Sequence, residues 1–536
     1  MNKLCTLEML SLLFFMACSE SAPDPRPGGT GRLGVDSKAD SSLEAVFLDF
    51  EFDSEFVTNS TWNLDSQIRM GQLLFTIGHL NGNNSVGCID RAELSSITQT
   101  PIDNGLVRIN YHVKLPVAWG NRESVPFTYE LRLPRDLTSD GQEQFTTKYK
   151  DSCVDHAAHD VNSGSIWYYY RPFLDSCKLD PVDHLVTTAT VTPGVNTTTG
   201  KYPEYDKVWA DNTLRVIAIF GKYEDGATES SDAGIAAYNE FIGAVRHRLG
   251  SRGLQTTPEQ VPEQPGVGVP DVTFFSTLAD GKQIQINAFL VDNVRNTTPE
   301  FNDRYESLSG QADVIVYNGH AGLGSNIRAL ANKGRWNAGQ YTIVFLNGCD
   351  TYAYIGSTLA RARSALNTDD KTGSKYMDIV LNAMPAFFAS DSQATMAVIE
   401  GLLSYALPMS YEDIFSLVDR SQVVMVTGEE DNVFTAPKPD WAGLDQSGTL
   451  TKNQEQRYAT EVLPVGRYVF ETSGSGDVDL YVRVGAEPTQ TEFDCRPYAG
   501  GSAETCRIEV TTPTQVHVLV LGYQESSTYH LVGRVR

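Results

Sequence analysis

The middle of the chain alternates short apolar runs with one-sided apolar stripes. Residues 214–221, 314–317 and 343–346 are almost wholly apolar, rich in β-branched side chains and closed by glycine. Such runs are typical of buried parallel strands. After the first run, apolar residues recur at spacings of three and four, which predicts an amphipathic helix. These residues are Ile235, Tyr238, Ile242, Val245 and Leu249.

Both flanks of the chain show strict alternation instead. Residues 45–53, 107–113 and 127–133 alternate apolar and polar side chains, and residues 478–484 and 516–521 do the same. This period of two indicates half-buried antiparallel strands. The sequence therefore predicts a multidomain protein: a central α/β domain with a parallel sheet, an N-terminal β-rich (α+β) domain and a C-terminal β-sandwich.

Polar, proline-rich stretches separate these regions. One lies between the first β region and the α/β region, and a second contains Pro437 and Pro439. A run at 165–170 is rich in aromatic side chains and is predicted to be a strand that packs them into a core. The predicted organisation is a signal segment 1–18, a tether 19–43, a β-rich domain 44–205, an α/β domain 213–428, a linker 429–452 and a β-sandwich 453–536.

The first residues predict export. Lys3 precedes an apolar run at 9–17, which is too short to span a bilayer but suits a signal segment. The following Cys18 makes the leader resemble a bacterial lipoprotein signal, and that resemblance implies a lipid anchor on Cys18 and location at the outer membrane or cell surface. A plain secretory signal with an extracellular product is the alternative. The formal net charge of −25 argues against nucleic-acid binding by general electrostatics.

Export also bears on the cysteines, because exported cysteines usually form disulfides. Local spacing predicts that Cys153 pairs with Cys177 and that Cys495 pairs with Cys506. Cys88 and Cys349 remain outside the leader, and a disulfide between these two is left open.

A zinc site is the alternative at the first of these pairs. His156 and His159 lie three residues apart, close to Cys153, with Cys177 and His184 downstream. Two such histidines would share a helix face, as zinc ligands can. Because export favours a disulfide over a thiolate ligand, no metal cofactor is predicted here.

The main candidate chemistry lies at His320 and Cys349. Each directly follows a glycine at the end of a predicted strand, with one helix-sized segment between the strands. A strand–helix–strand unit of this length places the two strands side by side and parallel, so both residues are expected at one sheet edge. A histidine can activate a thiol as a nucleophile, and the backbone N–H groups of Gly322 and Cys349 are candidates to hold an oxyanion.

The segments Asn318-Gly319-His320-Ala321-Gly322 and Asn347-Gly348-Cys349 resemble the clan CD, caspase-like cysteine peptidases such as legumain, gingipains, separase and caspases. The resemblance implies a caspase–hemoglobinase-like doubly wound sheet, with His320 as general acid/base and Cys349 as nucleophile. It also implies that Asn347 helps to line the substrate pocket. A degenerate, non-catalytic scaffold on a cell-surface binding lipoprotein is the alternative.

Asp391 is a second candidate for substrate binding. It follows a predicted strand near the same edge, where a carboxylate suits a basic side chain. Asparagine and aspartate are also favoured at helix N-termini, so a structural N-cap is the alternative.

The last region resembles a known module. Residues 474–483, with Phe493-Asp494-Cys495-Arg496-Pro497-Tyr498 and Glu504-Thr505-Cys506, are similar to the bacterial pre-peptidase C-terminal domain. Such domains accompany secreted peptidases. Asp477 and Asp479 are candidates for a structural calcium ion, and hydrogen bonding within a tight turn is the alternative. Together the two resemblances imply a secreted or lipid-anchored cysteine endopeptidase that acts on proteins or peptides and needs no cofactor.

Overall fold

The computed structural model describes residues 46–120, 124–194, 200–419 and 422–536. The predicted signal segment, the tether and Cys18 lie outside these residues. The chain divides into two compact units, Met1–Leu403 with Ser410–Phe434, and Ser404–Met409 with Thr435–Arg536. No helix among the described residues is both long and apolar enough to span a membrane.

The first region of the larger unit is a six-stranded antiparallel sheet in the order β2-β4-β1-β6-β5, with β3 also paired to β4. Its strands alternate buried and outward-facing side chains, as their period of two predicts. The strands are β1 (Val46–Thr58), β2 (Val86–Gly87), β3 (Glu93–Pro101), β4 (Val107–Trp119), β5 (Thr128–Pro134) and β6 (His184–Pro193).

Four short helices accompany this sheet. The aromatic run at 165–170, predicted to be a strand, is instead mostly helical. Gly78 lies against its backbone, and a Cβ there would stand 2.2 Å from the Trp167 carbonyl oxygen. Close packing against a neighbouring helix therefore overrides the strand preference of aromatic residues. The helices are α1 (Leu64–Gln67), which a π-helical turn Ile68–Gln72 follows, α2 (Leu74–Asn81), α3 (Ser139–Tyr149) and α4 (Ile166–Tyr169).

The second region of this unit contains an eight-stranded sheet in the order β14-β13-β12-β11-β7-β10-β9-β8. Five neighbouring strands, from β13 to β10, run parallel, and the edges are antiparallel. Its strands are β7 (Thr213–Gly221), β8 (Gln255–Thr257), β9 (Asp271–Thr277), β10 (Gln283–Val291), β11 (Val314–Asn318), β12 (Thr342–Asn347), β13 (Met377–Asn382) and β14 (Val424–Thr427).

Helices connect these strands in two packed groups, α6 with α10 and α11, and α7 with α8 and α9. Asp232 caps α6, because its carboxylate accepts hydrogen bonds from the N–H groups of Gly234 and Ile235. The chain places β10 on one side of β7 and β11 on the other, so the strand order reverses between β7 and β11. The helices are α5 (Tyr205–Val208), α6 (Ala233–Leu249), α7 (Pro299–Ser309), α8 (Ser325–Lys333), α9 (Thr358–Leu366), α10 (Phe388–Leu403) and α11 (Tyr411–Phe415).

A buried carboxylate lies at the start of β13. Asp378 is fully buried, and its Oδ2 accepts hydrogen bonds from the hydroxyls of Tyr341 and Tyr411 and, at 2.7 Å, from Nδ2 of Asn432. Burial raises the pKa of Asp378 to about 7. The cluster joins four separate stretches of chain at the amino edge of the sheet.

The smaller unit is a β-sandwich-like domain of a four-stranded and a three-stranded sheet around a shared apolar core. A disulfide joins Cys495 to Cys506, and in the larger unit another joins Cys153 to Cys177, so disulfides fit both predicted pairs. The strands are β15 (Leu444–Leu450), β16 (Glu455–Leu463), β17 (Gly466–Ser473), β18 (Val478–Val484), β19 (Glu504–Val510), β20 (Thr514–Gly522) and β21 (Ser527–Val535).

Candidate functional site

His320 and Cys349 lie at the same sheet edge, as the strand–helix–strand spacing predicts. Asn318 of β11 pairs in register with Asn347 of β12, so each candidate residue stands two positions beyond its strand. The turn after β11 is tied to the next strand, because the Gly319 N–H donates to the Asn347 carbonyl oxygen at 3.1 Å. Ligands in open α/β sheets bind along this carboxyl edge, which makes it the candidate site.

Cys349 does not have the state that a nucleophile needs. Its sulfur is disulfide-bonded, its side chain is only 8% exposed, and Sγ lies 3.7 Å from the Ala386 carbonyl oxygen. A sulfur held in a disulfide cannot ionise to a thiolate. The nucleophile role of Cys349 stays a prediction, because the partner of its sulfur lies outside the residues that the structure describes. The alternative pairing with Cys88 is wrong, because Cys88 is a buried free thiol.

His320 is directed toward the end of β7. Its Nε2 donates to the Tyr223 carbonyl oxygen at 3.0 Å, and its ring packs edge-on against Phe388. Burial lowers the pKa of His320 below its usual value of 6.5, although the carboxylates of Glu224 and Asp225 act in the other direction. The ring is therefore neutral near pH 7, with its proton on Nε2. Its Nδ1 is buried and has no hydrogen-bond partner among the described residues.

The predicted oxyanion donors lie in the turns at this edge. Gly322 adopts a positive φ of 57°, and its carbonyl oxygen accepts from the Ser325 N–H. Helix α8 begins directly after this turn, with Gly324 at the cap position and Ser325 as its first residue. Without a thiolate at Cys349, the N–H groups of Gly322 and Cys349 have no acyl-transfer step to support.

The two predicted substrate-binding side chains lie beneath the site. Asn347 is fully buried and its Nδ2 donates to Asn318 Oδ1 at 2.8 Å and to Asp391 Oδ1 at 3.0 Å. Asp391 is 2% exposed and belongs to the first turn of α10, inside the helix and past its cap. Burial raises the pKa of Asp391 well above its usual range. Both residues bond to each other in the core, so neither lines an open substrate pocket.

The first sheet region covers the chain that follows Cys349. Asn81 Nδ2 donates to Asp350 Oδ1 at 3.0 Å, and Arg91 Nε donates to the Ile355 carbonyl oxygen at 3.0 Å. Phe47 packs on Tyr352 with ring centroids 5.4 Å apart. Sequence reasoning missed this contact because its partners lie more than 260 residues apart.

Sequence reasoning also missed the open part of the edge. A cleft of about 670 Å³ lies beyond β7, and its lining includes Tyr223, Glu224, Thr228, Glu229 and Asp232. All the residues that line this cleft lie between the carboxyl end of β7 and the start of α6, and ligands in open α/β sheets bind at such strand ends. The acidic stretch between β7 and α6 is the sequence signal that could have identified it.

The described residues do not fit a zinc site. They contain no group of three or more His, Cys, Asp or Glu side chains placed to hold a metal ion. Cys153 is in a disulfide, His156 is 99% exposed, and His159 Nδ1 lies 3.3 Å from the Tyr169 hydroxyl. In the smaller unit, Asp479 is paired with Arg496 at 3.3 Å, which suits the turn alternative better than a calcium ligand.

Comparisons with known proteins concern the C-terminal region. Residues 465–521 match the family model of the bacterial pre-peptidase C-terminal domain. A zinc metalloprotease of Helicobacter pylori is 37% identical over 99 residues, which are 17% of this chain and 39% of that protein. The hemagglutinin/proteinase of Vibrio cholerae is 37% identical over 99 residues, 17% of this chain and 16% of that protein.

Relatives of another catalytic type share the same region. Alkaline serine exoprotease A of Vibrio alginolyticus is 48% identical over 54 residues, 10% of each chain. Among solved structures, "Solution structure of vEP C-ter 100" is 36% identical and covers 19% of this chain and 95% of that chain, with a TM-score of 0.15. This chain therefore spans well under half the length of the curated relatives it matches.

These relatives overturn the predicted catalytic type. The first two are zinc metalloproteases or proteinases by name, and the region they share with this chain is the C-terminal module. Together with the disulfide-bonded Cys349, they show that the prediction of a cysteine endopeptidase is wrong. The family model confirms the prediction for the smaller unit: residues 465–521 form a bacterial pre-peptidase C-terminal domain.

Proposed function

We propose that this chain is an exported protein that binds polypeptides outside the cytoplasm, with the cleft beyond β7 as the binding site. The observation that carries the proposal is that this cleft is open, whereas the Cys349 side chain is only 8% exposed. Its volume of about 670 Å³ is in the range of sites that hold a small ligand or a few residues of a peptide.

The C-terminal module supports a polypeptide ligand. Proteases of two catalytic types carry a similar segment. These proteins therefore share no single catalytic centre, but they all act on protein substrates. Export is supported by disulfides in both units. Lipidation at Cys18 stays part of the proposal, as does a caspase-like origin for the central sheet.

The test is hydrogen exchange on the full chain with and without peptides from denatured serum albumin. We expect peptides to slow exchange in residues 223–233. Ala227 also lines the cleft, so Ala227→Trp should fill it and abolish this protection, whereas Glu306→Trp on the exposed side of α7 should retain it. Protection that is unaffected by Ala227→Trp, or no protection in this segment, would refute the proposal.

Metal-dependent proteolysis is the second candidate, favoured by the names of the relatives. Because the described residues do not fit a zinc site, no zinc step is assigned to them. The purified chain should be analysed for zinc and assayed on unfolded protein with and without a chelator. Stoichiometric zinc and chelator-sensitive cleavage would favour this candidate, and the absence of both would reject it.

A further inference from the structure

A small cavity lies beside the cleft, beneath the His320 turn. Its volume is about 30 Å³, and it is lined by residues from the ends of three strands and from α8. One water-sized group needs about 10–15 Å³, so the cavity accepts one or two groups of that size. The lining residues used below are His320, Asn326, Asp225, Asp292, Lys222 and Arg295.

Two buried acceptors in this lining have no donor in the part of the chain that the structure describes. Asn326 is 2% exposed, and its Nδ2 donates to the Tyr317 hydroxyl at 3.0 Å and the His320 carbonyl oxygen at 2.6 Å. This leaves Asn326 Oδ1 as an acceptor without a partner. His320 Nδ1 is the second, because Nε2 carries the ring proton toward Tyr223. Buried polar atoms are rarely left unsatisfied, so two such acceptors on residues of one cavity lining indicate a missing donor.

The surrounding charges favour a cationic donor. Lys222 is already paired with Asp292 at 2.6 Å. Asp225 is exposed and accepts a hydrogen bond from Asn293 Nδ2 at 2.8 Å. Glu224 and Asp232 also act on the His320 ring, and both favour positive charge there. Arg295 opposes them, and its buried Nε lacks an acceptor.

We infer that this cavity binds a primary ammonium group, which donates hydrogen bonds to His320 Nδ1 and Asn326 Oδ1. The inference rests on the proposed function and names the part of the polypeptide that the site recognises. An ammonium is water-sized and carries three donors, whereas a guanidinium is too large for this volume. The ammonium can come from a peptide N-terminus or from a lysine side chain. Only the N-terminus adds a carbonyl two bonds away, for which Arg295 Nε is a donor.

The test uses the full chain labelled with ¹⁵N-histidine and three probes: glycinamide, n-butylammonium and N-acetylglycinamide. Both ammonium probes should move the His320 Nδ1 resonance saturably, because that nitrogen gains a hydrogen bond. N-acetylglycinamide should leave it unchanged. Tighter binding of glycinamide identifies a peptide N-terminus, and tighter binding of n-butylammonium identifies lysine. His79, fully buried with both ring nitrogens near partners, is an internal control.

Asp225→Asn supplies the variant test, since its exposed side chain can be changed without disturbing the core. It should weaken ammonium binding at least fivefold by removing a nearby negative charge. Asp303→Asn, exposed on α7, should not change it. The inference is overturned if neither ammonium probe moves the resonance, if N-acetylglycinamide moves it equally, or if Asp225→Asn binds as tightly as the wild type. Peptides that protect residues 223–233 equally well without any amino group would overturn it while leaving the proposed function intact.

Discussion

Replacing Asp378 by asparagine should remove a large part of the pH dependence of stability of the larger unit. Folding raises the pKa of Asp378 from 3.8 to about 7 by burying the carboxyl group. Between these values the folded state keeps a proton that the unfolded state has lost, so the free energy of unfolding falls as the pH rises. At 1.36 kcal/mol for each pKa unit, the loss is about 4 kcal/mol and is complete just above pH 7.

Asparagine has no such proton and keeps an oxygen for the Tyr341, Tyr411 and Asn432 donors. The assay is urea unfolding at several pH values from about 4 to about 8, followed by the helical circular dichroism signal, because the described helices belong to the larger unit. The wild type should lose stability relative to Asp378→Asn by about 4 kcal/mol over this range. Asp350 and Asp313 also have raised pKa values, but they are present in both proteins and cancel. Parallel pH profiles for the two proteins would refute the reasoning, and Asp303→Asn should follow the wild type.

Three further predictions test other parts of the molecule. Cys88 should resist iodoacetamide at pH 8 until the protein unfolds, since burial raises the pKa of its thiol to about 11; rapid labelling of the native protein, read by mass spectrometry, would contradict this. Replacing Cys495 and Cys506 by serine should destabilise the smaller unit by about 3 kcal/mol, measured by urea unfolding, because the 11-residue separation closes a loop; an unchanged midpoint would count against it. Asn81→Ala should lower the free energy of unfolding by about 1–3 kcal/mol, because Asp350 loses its buried hydrogen-bond donor. Asn332→Ala, on the exposed face of α8, should change that free energy little. Equal stability of the two variants would contradict the prediction.

The strands of both units follow from local sequence. Residues 314–317 and 343–346 are recognisable because a buried parallel strand has no polar face, and their glycines mark where each strand ends. The segment at 165–170 was misassigned because its helical form depends on packing against Gly78, far away in sequence. Helix and strand preferences of aromatic residues are weak enough for such a contact to decide.

The site was predictable in position but not in chemistry. Strand spacing placed His320 and Cys349 on one edge, yet no local pattern shows that Cys349 is disulfide-bonded or that His320 turns toward Tyr223. Asn347 and Asp391 have residue types that suit a pocket, but their mutual hydrogen bond puts them in the core. Burial and pairing are tertiary properties, so a motif that specifies residue types cannot separate a reactive edge from a structural one.

Because the first sheet contacts residues 350–356, the two regions of the larger unit should be expressed in one chain. Tyr352 and Ile355 are each 3% exposed, and this contact contributes to their burial. A chain shortened to begin at residue 206 would uncover both side chains beside the candidate site. We expect such a fragment to aggregate, so the two regions should be expressed together, as a single cooperative folding unit rather than two separable modules.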